Sequence, residues 1–483
     1  MPTPYNPDVQ RRRFLLGAGV STLGAGVLLT GYRLVHDWWL TENAMVAKTS
    51  GDDDLYRLPS EKELGLLQFS TVLYYLHETN PDNGLVRDKT DPTAPVSIAA
   101  VGMALATIPV VVERGVLFRD FAAKITLKRL RFLLAGPQGP EPDATGYKGF
   151  FYHFLDIETG RRVWNCELST IDSAFLFAGA LTVGTYFDRD TRDEIEIRDL
   201  ADRLYQRADW NWARDGGQTL THGWRPETGF IPHRWQGYDE GLLLYVLGLG
   251  SPTHPLPPES YRAYCSTYQW KRLYGRDLLY SGPLFTHQLS HMWIDFRGIR
   301  DEFMRMHDTD YFENSRQATF VQQEYAIRNP GNFVGYGEHC WGFTACDGPG
   351  WKKRVVKGVK RQFFDYIARG APFGPDDGTV APWVVVASLP FAPEIVIPAM
   401  RHFARMDLGM TGKYGFKPSF NQSFAVPDSP TGWWVTPYHF GIDQGPVVLM
   451  IENYRTGLLW KIMGRCAAVV DGLRRAGFSG GWL

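Results

Sequence analysis

The 483-residue sequence contains few cysteines and none of the motifs that cysteines form. Their number is odd and no Cys-x-x-Cys spacing occurs, so the sequence indicates neither a disulfide framework nor a zinc site. The cysteines are Cys166, Cys265, Cys340, Cys346 and Cys466. The Gly-x-Gly-x-x-Gly fingerprint and the P-loop are also missing, so no nucleotide-binding loop is predicted.

The chain carries no marked excess of charge of either sign. Its 51 basic and 52 acidic residues give a net charge of −1, so no basic field is available and no nucleic-acid partner is expected. No repeat of fixed length and no low-complexity linker interrupts residues 51–483. A solenoid is therefore disfavoured, and one domain over 51–483 is predicted.

Residues 1–50 have the pattern of an export signal. Arg11-Arg12-Arg13-Phe14-Leu15 fits the twin-arginine pattern, and the uncharged stretch 14–32 overlaps and follows it. The segment predicts export to the periplasm by the twin-arginine (Tat) machinery. The uncharged stretch is also long enough to span a bilayer, so a cleaved signal and an uncleaved inner-membrane tether are both left open.

From Ser60 onward the pattern is helical. Ser60-Glu61-Lys62-Glu63 is a capping box that opens a helix to about His77. Further helices are predicted over 97–112, 118–134, 169–186, 193–212, 241–249, 286–304, 315–328, 355–368, 382–389, 393–406 and 444–471. About twelve helices that alternate between apolar and amphipathic fit an apolar inner ring inside an outer ring. The predicted fold is therefore all-α, an (α/α)6 barrel of six helical hairpins, with only short strands such as 149–155.

The segment from Trp224 to Glu240 concentrates polar and aromatic side chains. It places Asp239 and Glu240 among aromatic rings at the start of an apolar helix. Apolar surroundings raise the pKa of a carboxylic acid so that it can donate a proton, and flat rings stack on sugar faces, as a glycosidase requires. The structural alternative is that Asp239 caps the helix and the rings belong to the core. A helix N-terminus also favours the carboxylate, so Glu240 can act as an acid only if burial or Asp239 outweighs that effect.

Four other clusters mix carboxylates with aromatic or histidine side chains, at 165–172, 285–295, 336–342 and 438–445. Aromatic residues make up 14% of the chain, with 16 Trp, which is more than a core requires and suggests an aromatic-lined cleft. Because the loops of an (α/α)6 barrel converge on one mouth, five such clusters favour a carbohydrate-active site.

His287, His291 and Asp295 are spaced four residues apart and would share one face of the predicted helix 286–304. Such a face can bind a metal. However, Gln288 stands where a zincin has Glu, so hydrogen bonding to sugar or to the core is favoured and no metal is predicted. The Lys-rich stretch 352–360 is interpreted as a solvated helix face.

Several long motifs resemble those of a known family. They are Glu167-Leu-Ser-Thr-Ile-Asp172, Gly237-Tyr-Asp-Glu240-Gly, Gly250-Ser-Pro-Thr-His254-Pro, Ser290-His-Met-Trp-Ile-Asp295, Trp341-Gly-Phe-Thr-Ala345, Ser388-Leu-Pro-Phe-Ala-Pro-Glu394 and Gly441-Ile-Asp-Gln-Gly-Pro446. With these motifs the chain resembles the bacterial glucoamylase-like domain family, and within it glycoside hydrolase family 144, the endo-β-1,2-glucanases. The resemblance covers nearly everything after the export signal. It implies an (α/α)6 barrel and inverting hydrolysis of β-1,2-glucan without a cofactor or metal.

By position, the resemblance assigns the general acid to Glu240. For the general base, Asp443 is the first choice and Asp428 the second, since both lie in C-terminal loops that should face Glu240. The residues predicted to bind substrate are Glu167, Asp172, Trp224, Arg225, Trp235, Tyr238, Asp239, His287, His291, Trp293, Asp295, Glu338, Trp341 and Glu452.

Two other functions stay open at this point. One is a phosphorylase or transglycosylase on the same barrel, although no phosphate cradle is evident. The other is a non-catalytic glycan-binding protein of periplasmic glucan assembly. In every case the expected partner is an oligo- or polysaccharide.

Overall fold

The computed structural model describes residues 61–406, 408 and 412–483, so Ser60 and the predicted export signal lie outside the described residues. Its helices are α1 (Glu61–His77), α2 (Ile98–Ala106), α3 (Ile108–Glu113), α4 (Arg119–Ala135), α5 (Thr170–Tyr186), α6 (Arg192–Gln206), α7 (Leu242–Gly250), α8 (Pro258–Cys265), α9 (Glu302–Met306), α10 (Tyr311–Arg328), α11 (Pro382–Ala387), α12 (Pro393–Arg405), α13 (Gly441–Thr456), α14 (Leu458–Met463) and α15 (Ala467–Arg475). None of these helices is long and apolar enough to cross a membrane.

The inner ring consists of apolar segments whose side chains face one another. Every residue of α2, α7 and α11 is buried, and α5 and α13 are buried along most of their length. Helix α2 packs against both α5 and α13, α5 against α7, and α11 against α13. Two short 3-10 helices, Leu284–His287 and Leu289–Met292, fill the gap between α7 and α11 and close the ring.

Hydrogen bonds hold the two 3-10 helices in the ring. The Gln288 amide donates to the Val384 carbonyl of α11 at 2.7 Å, and the Leu243 N–H of α7 donates to Ser290 Oγ at 3.0 Å. These contacts replace the helical pairing that a full inner helix would make. The predicted helix 286–304 is therefore wrong, and His287, His291 and Asp295 do not share a helical face.

Amphipathic helices alternate with the inner ones along the chain and cover them from outside. In α6, buried Ile197, Leu200 and Leu204 face α5, while Asp199 and Arg203 are exposed. This apolar stripe is the amphipathic pattern of a helix packed on one side. The outer helices are α1, α4, α6, α8, α10 and α12. In the described part of the chain, the alternation produces the predicted (α/α)6 barrel.

Short strands line the connections. They are β1 (Val96–Ser97), β2 (Gly146–Tyr147), β3 (Phe150–Tyr152), β4 (Phe154–Leu155), β5 (Leu168–Ser169), β6 (Gly223–Arg225), β7 (Gly229–Phe230), β8 (Trp270–Leu273), β9 (Arg276–Leu279), β10 (Ala345–Cys346), β11 (Lys352–Val356), β12 (Val359–Phe363), β13 (Ile367–Ala368), β14 (Phe420–Ala425) and β15 (Trp433–Val435). The largest described sheet is antiparallel, in the order β2-β3-β5-β6-β7, and it brings the loop before α5 beside the loop before α7.

The predicted helix 355–368 is also wrong, because β11 and β12 form a hairpin there. Val356 pairs with Val359 across a two-residue turn, Lys357-Gly358, whose φ angles are 49° and 78°. Positive φ at both central residues is typical of the type I′ turn, which suits the twist of a two-stranded hairpin. The Lys-rich stretch is thus part of a β-hairpin.

A buried ion pair supports the base of this hairpin. Arg369 and Asp377 are fully buried, with Nε–Oδ1 at 2.7 Å and Nη2–Oδ2 at 2.9 Å. Asp377 also accepts a hydrogen bond from the Phe364 N–H, just after β12. The pair therefore connects the hairpin's return strand to the body of the barrel.

We expect Asp377→Ala to lower the free energy of unfolding by about 3–5 kcal/mol, because it leaves the Arg369 cation buried without its partner. Urea denaturation measures the change. The control is Asp199→Ala, which removes an exposed i, i+4 pair with Arg203 and should cost less than about 0.5 kcal/mol. Equal losses in the two variants would contradict the importance of the buried pair.

Candidate active site

A cavity of about 510 Å³ opens at the N-terminal ends of the inner helices. The first turns of α5, α11 and α13 reach it, together with the residue before the N-cap of α7. Its lining residues are His153, Glu167, Ser169, Ile171, Asp172, Phe175, His222, Arg225, Ile231, His233, Trp235, Glu240, Phe285, Leu289, Ala345, Tyr366, Trp383, Ile442 and Asp443. The cavity therefore combines four carboxylates with aromatic walls, as a sugar-binding site requires.

Glu240 is half-buried in this lining, at the turn that leads into α7. Asp239 holds the turn, since its Oδ1 accepts hydrogen bonds from the Gly241 N–H at 2.8 Å and the Tyr264 hydroxyl at 3.1 Å. Burial, followed by the charges of Asp172 and Asp239, raises the pKa of Glu240 to about 8. Burial therefore outweighs the helix N-terminus, and Glu240 carries a proton at neutral pH.

Asp443 lies in the first turn of α13 and is 7% exposed. Burial, with the charges of Asp347 and Asp88, raises its pKa well above the ordinary value. The Tyr75 hydroxyl donates to the Gly441 carbonyl at 2.6 Å and fixes the start of the helix. Tyr366, which is 60% exposed, lines the same cavity as Glu240 and Asp443.

His153 links two further carboxylates of the cavity. Its Nδ1 lies 2.9 Å from Glu167 Oε1, its Nε2 lies 3.7 Å from Asp172 Oδ2, and its ring stacks on Phe154. Burial of His153 disfavours its protonated form and lowers its pKa. The negative charge of Asp172 and the hydrogen bond to Glu167 outweigh this effect and raise the pKa of His153 to about 9. The hydrogen bond from His153 is also the main cause that lowers the pKa of Glu167 to about 2. The cavity thus holds an imidazolium beside ionised Glu167.

We expect His153→Gln to move the basic limb of the kcat/KM–pH profile upward by about half a unit. His153 lowers the pKa of Glu240, so loss of this cation makes ionisation of the acid less favourable and keeps it protonated to higher pH. The measurement is the profile of kcat/KM, with exposed His254→Gln as control. A downward or absent shift would show that His153 does not act on Glu240.

The family model called Glycoamylase ("Putative glucoamylase") matches residues 232–467. A putative glucoamylase of Bacteroides uniformis, whose crystal structure is known, is 32% identical to this chain in sequence. The two structures match with a TM-score of 0.77, over 88% of this chain and 99% of that one. The chain belongs to the glucoamylase-like family. The family membership and barrel predicted from the sequence are therefore confirmed.

Two other relatives of this glucoamylase-like chain have described activities. An exo-β-1,2-glucooligosaccharide sophorohydrolase (non-reducing end) of Parabacteroides distasonis is 29% identical over 456 residues, 87% of this chain. The chain spans 58% of the length of that relative. An endo-β-1,2-glucanase of Chitinophaga pinensis, in a complex with sophorotriose and glucose, is 27% identical with a TM-score of 0.75, over 88% of this chain and 100% of that one.

The glucoamylase-like barrel brings several of the predicted site residues together in the cavity. They are Glu167, Asp172, Arg225, Trp235, Glu240 and Asp443. Arg225 Nη2 lies 3.4 Å from Glu167 Oε2, and the Trp235 indole donates to Thr170 Oγ1 at 2.9 Å. Sheet pairing of β5 with β6 explains the first contact, because Leu168 and Trp224 are cross-strand partners.

Other predicted site residues do not line this cavity, because they pack in the core. Trp293 and Trp341 are fully buried, so they cannot serve there as sugar platforms. His287 contacts the Ser281 carbonyl and His291 contacts Ser315 Oγ, and burial lowers the pKa of both rings. Hydrogen bonding to the core is therefore the better interpretation of the two histidines.

Four more predicted residues also take structural positions outside the cavity lining. Tyr238 is buried beside the His287 ring, and Asp239 caps the turn before α7. Trp224 is half-buried and packs 5.1 Å from the Tyr147 ring centroid. Glu452 is buried and paired with Arg114 at 2.7 Å. None of the four lines this cavity, and their role in substrate binding stays a prediction.

Three further predicted carboxylates lie outside the cavity lining. Asp295 pairs with Arg297 at 2.6 Å, and the side chain of Glu338 is 59% exposed. Asp428, the second choice for the base, is exposed in the turn between β14 and β15. Only Asp443 of the two candidate bases therefore shares the cavity with Glu240.

Among the residues that the structure describes, no group of three or more His, Cys, Asp or Glu is arranged to hold a metal ion.

Sequence patterns do not single out Asp88, Asp347 or Tyr366, and His153 is not among the predicted site residues. For His153 a signal exists, because it is the polar residue in the aromatic run Phe150–Phe154 of the predicted strand. Asp88 and Asp347 lie in connections without periodicity, and only the fold brings their charges to Asp443. Asp88 reaches α13 through its carbonyl, which accepts from the Gly441 N–H at 2.7 Å.

Proposed function

We propose that the chain hydrolyses β-1,2-linked glucan by a single displacement with inversion, with Glu240 as general acid and Asp443 as general base. The observation that carries the proposal is the shared cavity of these two carboxylates, in which burial keeps a proton on Glu240. The relatives from Parabacteroides distasonis and Chitinophaga pinensis act on β-1,2-linked glucose chains, which supports the choice of linkage.

In the proposed reaction, Glu240 gives its proton to the glycosidic oxygen as the bond to the anomeric carbon breaks. Asp443 removes a proton from a water that attacks the anomeric carbon from the opposite face, directly or through a sugar hydroxyl. Inverting enzymes hold the two carboxyls about 6.5–9.5 Å apart, or farther when a relay intervenes. Glu240 thus loses one proton and Asp443 gains one, so the protons balance. Exchange with solvent then returns both carboxyl groups to their starting protonation states.

The remaining lining residues suit the sugar. Trp235 and Trp383 offer aromatic walls, while Arg225, His222 and His233 offer hydrogen bonds to hydroxyls. Ionised Glu167, held by His153 and Arg225, accepts hydrogen bonds from sugar hydroxyls. We propose that these residues form the subsites on either side of the cleaved bond.

The pKa shifts predict a bell-shaped profile of kcat/KM against pH. Below the pKa of Asp443 the base is protonated and inactive, and above that of Glu240 the acid has lost its proton. Since burial raises the pKa of both groups, the acid limb should lie above the ordinary carboxylate range and the basic limb near pH 8. If the acidic and the basic limb of the kcat/KM profile both lay below pH 5, the assignment of Glu240 as acid and Asp443 as base would be contradicted.

Product analysis tests the function. The full chain is incubated with linear β-1,2-glucan, beside β-1,3- and β-1,4-glucans, without phosphate. We expect β-1,2-oligosaccharides whose new reducing ends are first released as the α-anomer, seen by NMR. A ladder of products indicates endo-cleavage and sophorose alone indicates exo-cleavage. A requirement for phosphate would indicate a phosphorylase, and binding without cleavage would indicate a glycan-binding protein.

We further propose that the chain works in the periplasm after export by the Tat machinery. The support is the twin-arginine pattern at residues 11–15. Replacing Arg11, Arg12 and Arg13 by Lys should leave the protein in the cytoplasmic fraction. Periplasmic recovery of that variant would contradict the proposal.

A further inference from the structure

The hairpin of β11 and β12 concentrates positive charge. Residues 351–361 contain six cations and no carboxylate, whereas the whole chain is nearly neutral. The cations are Lys352, Lys353, Arg354, Lys357, Lys360 and Arg361. Within the described residues none of the six makes an ion pair. Arg354 lies directly opposite Arg361 across the hairpin, and such like charges repel.

One face of the hairpin is attached to the barrel. The Arg354 guanidinium lies 3.6 Å from the Phe424 ring centroid and donates to the Ala425 carbonyl at 2.9 Å. Arg361 donates to the Gly331 carbonyl at 2.6 Å. Lys352, Arg354 and Arg361 therefore lie on the inner side, and the residues that alternate with them point outward.

The outer face of the hairpin is largely exposed, although the Trp351 ring contacts the Phe364 ring at a centroid distance of 5.4 Å. It carries Trp351 and Val355, each 64% exposed, with exposed Lys353 and Lys360 beside them and Lys357 at the turn. An exposed Trp beside lysines offers a flat ring for a sugar and cations for an anion. The outer face of the hairpin consists of Trp351, Lys353, Val355, Lys357 and Lys360.

The hairpin rises from the rim of the candidate active site. In the chain, the hairpin is inserted between strands β10 and β13, and these two strands pair with each other through Ala345 and Ala368. Ala345 lines the cavity, and so does Tyr366, three residues after β12 ends at Phe363. A glucan chain that leaves the cavity on this side would therefore pass the basic hairpin.

We propose that the outer face of the hairpin binds anionic substituents on the part of a glucan chain that lies outside the cavity, so that the preferred substrate is a sparsely anionic β-glucan. This rests on the proposed function. In the cavity itself, the ionised Glu167 carboxylate disfavours an anionic substituent close to it. Unsubstituted glucose units occupy the cavity, and the charged units lie along the hairpin.

The test compares two modified β-1,2-glucans of equal length. One is sparsely succinylated and anionic, and the other carries the methyl ester of the succinyl group to the same degree and is neutral, so that the two differ chiefly in charge. Calorimetry gives the Kd of each for the full chain with Glu240→Gln, which binds without cleaving. We expect about fivefold tighter binding of the succinylated glucan at low salt, and a smaller difference at high salt.

The hairpin variant K353S/K357N/K360S should abolish this preference. Asn suits the positive φ at position 357. The matched control K62S/K124S/K461S removes the same charge from exposed positions on the barrel and should keep the preference. Circular dichroism and thermal melting verify that both variants fold.

Equal Kd values for the two glucans, or a preference that survives in the hairpin variant, would overturn the proposal. Binding of the wild-type chain to phosphatidylglycerol vesicles that is lost in the hairpin variant, with no preference between glucans, would overturn it in favour of a membrane surface. Hydrolysis of the neutral glucan by the wild-type chain reports separately on the proposed function, because that glucan carries no charge for the hairpin.

Discussion

Replacing Glu240 by Gln is expected to lower kcat for β-1,2-glucan hydrolysis about 10³-fold. Gln has nearly the same shape and can still donate a hydrogen bond to the glycosidic oxygen, but it cannot transfer a proton. The loss should therefore appear in kcat, with little change in KM. Initial rates of reducing-end release over a range of glucan concentrations give both constants.

A substrate with a good leaving group separates this role from a folding defect. On β-sophorosyl fluoride, whose fluoride departs with little help from an acid, Glu240→Gln should keep most of the wild-type rate. The exposed Glu259→Gln, which breaks a surface pair with Arg262, should behave as wild type on both substrates. Full activity of Glu240→Gln on glucan would remove Glu240 from the mechanism.

Asp443→Asn should lower kcat by about 10²–10⁴-fold on both glucan and β-sophorosyl fluoride. Activation of the attacking water is needed whatever the leaving group, so the fluoride cannot bypass this step. Activity on β-sophorosyl fluoride therefore distinguishes the two variants. We expect Glu240→Gln to be active on this substrate and Asp443→Asn to be nearly inactive.

Asp428→Asn is the comparison that tests the choice of base. Asp428 is exposed in the turn between β14 and β15, away from the lining of the cavity, so its loss should change kcat less than about twofold. If Asp428→Asn were inactive and Asp443→Asn active, the assignment made from the cavity would be wrong. Thermal melting of both variants verifies that neither result arises from unfolding.

The helices were readable from sequence where local signals were strong. Ser169 and Asp172 form the start of α5, because Ser169 Oγ accepts from the Asp172 N–H, as the capping box predicts. The runs at α5 and α12 lie within one residue of their predicted bounds, whereas α6 ends six residues before its predicted end and α10 begins four residues before its predicted start. In these elements the periodicity and the caps favour the same structure as the tertiary contacts.

The wrong helices had weaker local signals. Apolar residues in 286–304 resembled a helical stripe, but this part of the ring is held by side-chain bonds to neighbouring elements, such as Gln288 to Val384. The predicted helix 444–471 ends at Thr456, because Gly457 adopts φ of 66° and caps α13 in the left-handed region. At 352–363 the turn Lys357-Gly358 was the available hairpin signal, and the Lys-rich composition obscured it.

The sequence by itself determined the alternation of apolar and amphipathic helices, because it depends on local periodicity, and the family with its candidate acid Glu240, because contiguous motifs carry the resemblance. The choice of Asp443 over Asp428 as the proposed base rests on the cavity that the tertiary structure forms. Only the tertiary structure decided which of fourteen other candidate residues share the cavity, since burial depends on contacts between distant segments. It also brought His153, Tyr366 and the charges of Asp88 and Asp347 to the proposed acid and base. A pKa shift arises from the surroundings of a side chain, and in this barrel those surroundings come from five or more separate parts of the chain.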